Sequence, residues 1–135
     1  MSSRDDITRK IVCEGRVTVV AAVRHDGSCP SLDFLGALSP SDAAKLYGLF
    51  DRYAEFGLIQ DGQKFKRLDG DVWEFKARGR DTGLRVTCYR NGSFLVLLTG
   101  FPKKEDDTEP REIELAKSVM EEDRRLHKNT PRGRR

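Results

Sequence analysis

Apolar and polar positions in the first half of the chain predict one strand followed by two helices. Residues 16–24, RVTVVAAVR, are β-branched near both ends and mostly apolar, which predicts a largely buried first strand. A short helix is predicted from Ser31, a suitable N-cap, to Leu38. Residues 1–14 are polar without a clear period and are interpreted as an N-terminal extension.

The second of these helices has the clearer pattern. Ser39 is a good N-cap, Pro40 suits the first helical position, and Asp42 suits the positive end of the helix. Gly57 is a plausible stop at the C-terminal end. One apolar stripe at helical spacing is formed by Leu46, Leu49, Phe50 and Tyr53.

The second half of the chain changes to the two-residue period of strands. Asp69-Gly70-Asp71 and Asn91-Gly92 are turn sequences, and Gly100-Phe101-Pro102 is expected to end the last strand. Strands are predicted over residues 64–68, 72–77, 84–89 and 94–98. A final helix, capped by Thr108, is predicted to continue to about Leu126.

The order β–α–α–β–β–β–α predicts an α+β fold, in which N-terminal helices and a C-terminal helix pack on one antiparallel-rich sheet. A chain of 135 residues fits one domain, which we place at residues 1–126. Residues 127–135, HKNTPRGRR, are expected to form a basic, disordered tail.

Composition argues against several classes of protein. No apolar run exceeds five residues and the N-terminus lacks the apolar core of a signal peptide, so a cytoplasmic location without a membrane partner is expected. Three cysteines without a C-x-x-C pair do not suggest a disulfide framework or a zinc ribbon, and His25 and Cys29 are interpreted as unrelated loop residues. P-loop, dinucleotide-binding, G-x-S-x-G and H-E-x-x-H signatures are absent.

The net charge of +3 conceals a strong segregation of charge along the chain. Residues 63–90 carry eight bases against four acids, and residues 124–135 carry six bases and no acid. Residues 31–62 and 101–123 are acidic. Two basic blocks on an otherwise acidic chain indicate a polyanionic partner.

Candidate functional residues lie between Trp73 and Lys104. On the predicted sheet face opposite Trp73 and Phe75, consecutive strands and their loop would present one carboxylate, Glu74, and a set of cations. The cations are Lys76, Arg78, Arg80, Arg85, Lys103 and Lys104. Such a face is suited to a phosphate backbone, and Phe101 could stack on a base. The alternatives are a solvated sheet face and an aromatic ring that packs at a sheet edge.

An ordered set of motifs in this region resembles the phage-derived HigB-like toxins of the RelE/ParE superfamily. The matching segments are Trp73-Glu74-Phe75-Lys76, Arg85-Val86-Thr87-Cys88-Tyr89, Gly100-Phe101-Pro102-Lys103-Lys104 and the helical stretch 112–117. The resemblance covers about residues 60–125. It implies a RelE-like, microbial-RNase-like α+β fold and the toxin component of a type II toxin–antitoxin system.

The resemblance also implies a ribosome-dependent mRNA endoribonuclease that needs no metal or other cofactor. By position, the catalytic residues would be Glu74, Lys76, Arg85 and Lys104, with Lys103 beside the last. The predicted cationic face adds Arg78, Arg80, Phe101 and Lys103 as RNA-binding residues. Arg85 would stabilise the pentavalent phosphorane, Glu74 or Lys76 would take the proton of the 2′-hydroxyl, and Lys103 or Lys104 would act at the leaving oxygen. No histidine lies in the matched stretch and no tyrosine follows Tyr89, so the general acid is not identified.

The implied partners are mRNA on the ribosome, a cognate antitoxin of helix-turn-helix type, and operator DNA only through the antitoxin complex. Two alternatives remain open from the sequence. One is a non-catalytic ParE-like poison of DNA gyrase, and the other is a nucleic-acid-binding protein without nuclease activity.

Overall fold

A computed structural model of the chain describes residues 8–104 and 108–127. Within these residues six strands form one sheet, in the order β1-β2-β6-β5-β4-β3. The strands are β1 (Arg9–Cys13), β2 (Thr18–Ala22), β3 (Phe65–Asp69), β4 (Val72–Arg78), β5 (Gly83–Asn91) and β6 (Phe94–Lys103). The helices are α1 (Pro30–Gly36), α2 (Pro40–Phe56) and α3 (Pro110–Leu126). Only β2 and β6 pair in parallel, so the predicted antiparallel-rich α+β sheet is confirmed.

Helix α2 begins and ends where its sequence predicts. The Asp42 backbone N–H donates to Ser39 Oγ at 3.2 Å, and Pro40 occupies the first turn. Gly57 ends the helix with a φ of +75°, a left-handed conformation that favours glycine. The four apolar residues of its predicted stripe are all buried.

Helices α1 and α2 cover one face of the sheet. The ring of Phe75 lies 5.0 Å from Phe50 and 4.9 Å from Phe65, measured between centroids. Gly100 lets α1 approach β6, because a Cβ at this position would overlap the ring of Phe34. An aromatic and aliphatic core therefore fixes α2 on β3 and β4.

Helix α3 covers only part of the opposite face, where Ala116, Val119 and Met120 pack on strand residues that include Val96 and Leu98. Its C-terminal end is held by Asp123, which is 2% exposed. Arg9 donates to both carboxylate oxygens, at 3.1 Å from Nε and 2.6 Å from Nη2, and Tyr89 Oη donates to Oδ2. None of the helices in the described part of the chain is long and apolar enough to span a membrane.

The sequence missed β1 and misplaced one end of three other elements. Helix α3 has Glu109 rather than Thr108 at its N-cap, because the Thr108 hydroxyl donates to Glu74 instead. Strand β1 is an edge strand with Ile11 exposed, so its pattern is not clearly amphipathic. Helix α1 is capped by Cys29 rather than Ser31, because Pro30 takes the first helical position. Strand β6 continues through Pro102, which an edge tolerates, since the pairing of β6 with β2 ends at Leu97.

Two predicted segments fall wholly or largely outside the described residues. These are residues 1–7 of the N-terminal extension and residues 128–135 of the basic tail.

Replacing Asp123 should destabilise the fold strongly. Asp123→Asn removes the charge that compensates Arg9, and we expect the free energy of unfolding to fall by about 3 to 5 kcal/mol. Urea unfolding followed by circular dichroism measures the change. Glu121→Gln, at an exposed ion pair on the same helix, should alter stability by about 0.5 kcal/mol or less. An equally small effect of Asp123→Asn would contradict the structural role of this carboxylate.

Candidate functional site

The strand register places most of the candidate residues on the same sheet face as α3, in the part of that face that the helix does not cover. Lys76 lies opposite Arg85, and Arg85 lies opposite Phe101. One step further along the sheet, Gly83 pairs with Arg78 on one side and with Lys103 on the other. Because directly opposed residues share a face, separate strands bring their cations together here.

These cations line a cavity of about 490 Å³, which we call the basic groove. Among its described lining residues seven are lysine or arginine and none is aspartate or glutamate. The lining residues are Lys45, Leu49, Gln63, Lys64, Lys76, Ala77, Arg78, Gly83, Arg85, Lys103 and Lys104. A concentration of positive charge in a concave site is suited to an anionic ligand with more than one charge.

Arg85 forms part of the groove while being 5% exposed. Its Nη1 donates to the carbonyl oxygen of Leu84 at 3.3 Å. A Cβ on Gly83 would lie 2.5 Å from the backbone carbonyl oxygen of Lys103 and 2.9 Å from that nitrogen, so glycine allows the close approach of β6 and also leaves room for the guanidinium. The guanidinium is therefore held in one place before a ligand arrives.

Glu74 lies beneath the groove and not in its lining. Its side chain is fully buried, and Oε1 accepts a hydrogen bond from Thr108 Oγ1 at 2.8 Å. Oε2 lies 3.9 Å from Arg85 Nε. Burial raises the pKa of Glu74, an effect that the Thr108 hydrogen bond and the charge of Arg85 oppose. The structure therefore places this carboxylate beside Arg85.

A second cavity of about 450 Å³ adjoins the basic groove, and the two share Lys103 and Lys104 in their linings. Lys103 Nζ lies 3.5 Å from a carboxylate oxygen of Glu109, which precedes α3. Phe101 also lines this second cavity, but it is only 6% exposed. The buried ring offers little surface for the base stacking that the sequence suggested.

Two arginines predicted in one loop have different positions. Arg78 is the last residue of β4 and lines the groove. Arg80 does not line it, because its backbone N–H donates to Asp42 Oδ1 at 3.1 Å and turns the loop toward the start of α2. The expectation that Arg80 joins the other cations is therefore not met.

Sequence reasoning missed three of the polar side chains that line the groove, those of Lys45, Gln63 and Lys64. Lys45 Nζ donates to the carbonyl oxygen of Arg78 at 2.8 Å. Its position one turn before Leu49 of the apolar stripe was a usable signal, because residues four apart share a helix face. That signal places Lys45 on the same helix face as Leu49, but it does not predict where α2 packs on the sheet.

The arrangement can bind phosphate groups and stabilise additional negative charge on one of them. A buried, forked guanidinium gives directional hydrogen bonds, and the surrounding ammonium groups give long-range attraction. Among the residues described, no group of three or more histidine, cysteine, aspartate or glutamate side chains is placed to hold a metal ion.

The raised pKa of Glu74 predicts a pH-dependent cost of its burial. Over the range between its unfolded and folded pKa values, the folded chain keeps a proton that the unfolded chain has released, so unfolding releases a proton. The stability of the native protein relative to Glu74→Gln should therefore fall as the pH rises above about 4.3, the usual glutamate value. Urea unfolding of both proteins across this range measures it, and a constant difference would contradict the prediction.

No curated protein matches this sequence. The sequence profile of the family described as phage derived protein Gp49-like (DUF891) matches residues 33–121. The matched segment begins in α1 and ends in α3, and it includes every described residue that lines the basic groove. The chain therefore belongs to the Gp49-like family of phage-derived proteins.

Proposed function

We propose that this chain is the toxin of a type II toxin–antitoxin system and acts as a ribosome-dependent mRNA endoribonuclease with a RelE-like fold. The observation that carries the proposal is the position of Arg85, held nearly buried in a groove that other cations line. Membership of a phage-derived family is compatible with a toxin. The motif resemblance in residues 60–125 supports the RelE-like fold and the nuclease activity.

The proposed reaction is a transesterification within the RNA strand. The ribose 2′-oxygen attacks the adjacent phosphorus, and the bond from phosphorus to the 5′-oxygen breaks. The products are a 2′,3′-cyclic phosphate and a 5′-hydroxyl end, and a proton passes from the 2′-oxygen to a base while another reaches the 5′-oxygen. Arg85 would hold the non-bridging oxygens, whose negative charge grows in the transition state.

We propose the remaining roles from the position of each side chain. Lys76 lines the groove, whereas Glu74 lies beneath it, so Lys76 is the better candidate to take the proton. Glu74 would then act as a positioning residue for Arg85. Lys103 is paired with Glu109, which leaves Lys104 as the candidate proton donor to the leaving oxygen.

The proposed partners follow from the same site. A cognate antitoxin of helix-turn-helix type would neutralise the protein, and operator DNA would be bound only through that complex. The mRNA substrate would be presented by the ribosome.

Replacing Arg85 should abolish most of the cleavage. We expect Arg85→Ala to lower the rate by about 10²- to 10³-fold, as for loss of one preorganised transition-state donor. Arg85→Lys should restore only part of the rate, because lysine keeps the charge without the bidentate geometry. Primer extension on mRNA after brief induction measures cleavage. Arg125→Ala, an exposed arginine near the far end of α3, is the matched control and should cleave normally.

Three outcomes would contradict the proposal. Normal cleavage by the double variant Glu74→Ala, Arg85→Ala would show that the reaction does not take place at the proposed site. Intact mRNA together with DNA damage would indicate a gyrase poison. Growth unaffected by expression of the native chain would indicate a nucleic-acid-binding protein without toxicity.

A further inference from the structure

We propose that the basic groove contains a second phosphate subsite, formed by Lys45 and Lys64, next to the one at Arg85. The ligand is then a single strand with at least two consecutive phosphates that crosses the edge of β4. This inference rests on the proposed function for the identity of the strand as RNA.

The edge of β4 is open at this point because β3 is shorter than β4. The pairing of the two strands begins at Phe65 opposite Phe75, and the last contact is the Lys76 backbone N–H donating to the Lys64 carbonyl at 2.8 Å. Strand β4 continues to Arg78, and none of the strands in the described part of the chain lies beside it on that side. There the Arg78 carbonyl oxygen accepts a hydrogen bond from Lys45 Nζ of α2 instead of from the backbone of a strand.

The groove passes around this open edge from one face of the sheet to the other. Lys76 and Arg78 belong to the face that carries Arg85, whereas Ala77 and Leu49 belong to the core beneath α1 and α2. All of them line one cavity together with Lys45. A ligand that fills it must therefore extend past the strand, which one phosphate group cannot do.

The chemistry at this end of the groove fits a second phosphate. An ammonium group has three N–H donors, and the contact with Arg78 leaves two of those of Lys45 for a ligand. Lys64 and Gln63 add a second cation and a neutral amide to the same wall. Ammonium groups bind phosphate oxygens, which carry no sequence information, so the two lysines would recognise the backbone of the strand.

Binding to uncleavable 2′-O-methyl oligoribonucleotides tests the subsite with the full chain. A dinucleoside with one internal phosphate is compared with a trinucleoside with two, both as competitors of a labelled hexamer in fluorescence anisotropy. Lys45→Ala and Lys64→Ala should each weaken the trinucleoside several-fold and leave the dinucleoside unchanged. Arg85→Ala should weaken both ligands.

The salt dependence of hexamer binding distinguishes a lysine that contacts phosphate from one that only stabilises the fold through its hydrogen bond. Loss of one contact should reduce the slope of log K against log salt by about 0.7 for a single strand. Lys45→Arg should restore the slope, and urea unfolding of each variant checks that the fold is retained. Lys10→Ala, an exposed lysine on β1 at the far end of the sheet, is the matched control and should keep the native slope.

An unchanged slope in Lys45→Ala and Lys64→Ala, or equal weakening of both short ligands, would overturn the second subsite. A native chain that binds the trinucleoside through these lysines and yet makes no cuts in mRNA would overturn the proposed nuclease and leave the subsite standing. Failure of the native chain to bind any of the oligonucleotides would overturn the second subsite, whereas the proposed nuclease is decided separately by primer extension on mRNA in translating cells.

Discussion

The position of α3 depends on the buried carboxylate of Asp123. Arg9 and Tyr89 both donate to it, which fixes the C-terminal end of the helix over β1 and β5. A helix anchored there covers the strands at one end of the sheet face and leaves the other end open. The basic groove occupies that uncovered end, next to the start of α3, where Glu109 pairs with Lys103.

The groove brings together groups that the fold alone does not require. Burial opposes the ionised form of Glu74, and neighbouring cations repel one another unless an anion lies between them. Such local conflict is typical of functional sites, where selection for binding outweighs selection for stability. Gly83 belongs to the same arrangement, because a Cβ there would overlap the Lys103 carbonyl oxygen and crowd the Arg85 guanidinium.

The sequence predicted the elements with strong local signals and not the contacts between distant ones. The cap at Ser39, the stop at Gly57 and the strand turns depend on neighbouring residues, and all were readable. The meeting of Lys76 and Arg85 was also foreseeable, because consecutive strands usually pair. By contrast, Lys45 reaches the groove only through the docking of α2, and the burial of Glu74 depends on Thr108 from a separate segment. Those contacts join residues far apart in the chain and leave no local pattern.

The parallel pairing of β2 with β6 has a consequence for the order of assembly. Val20 of β2 pairs with Val96 of β6, which lies far away in the sequence. The β4–β5 and β5–β6 hairpins, by contrast, join strands that are consecutive in the chain. Contacts between distant parts of a chain form late, because the chain must lose the entropy of closing a long loop before the contact can stabilise it. During synthesis from the N-terminus, the β1–β2 hairpin is therefore made early but gains its partner strand only after β6 has emerged from the ribosome. A nascent chain cannot complete this sheet before that point.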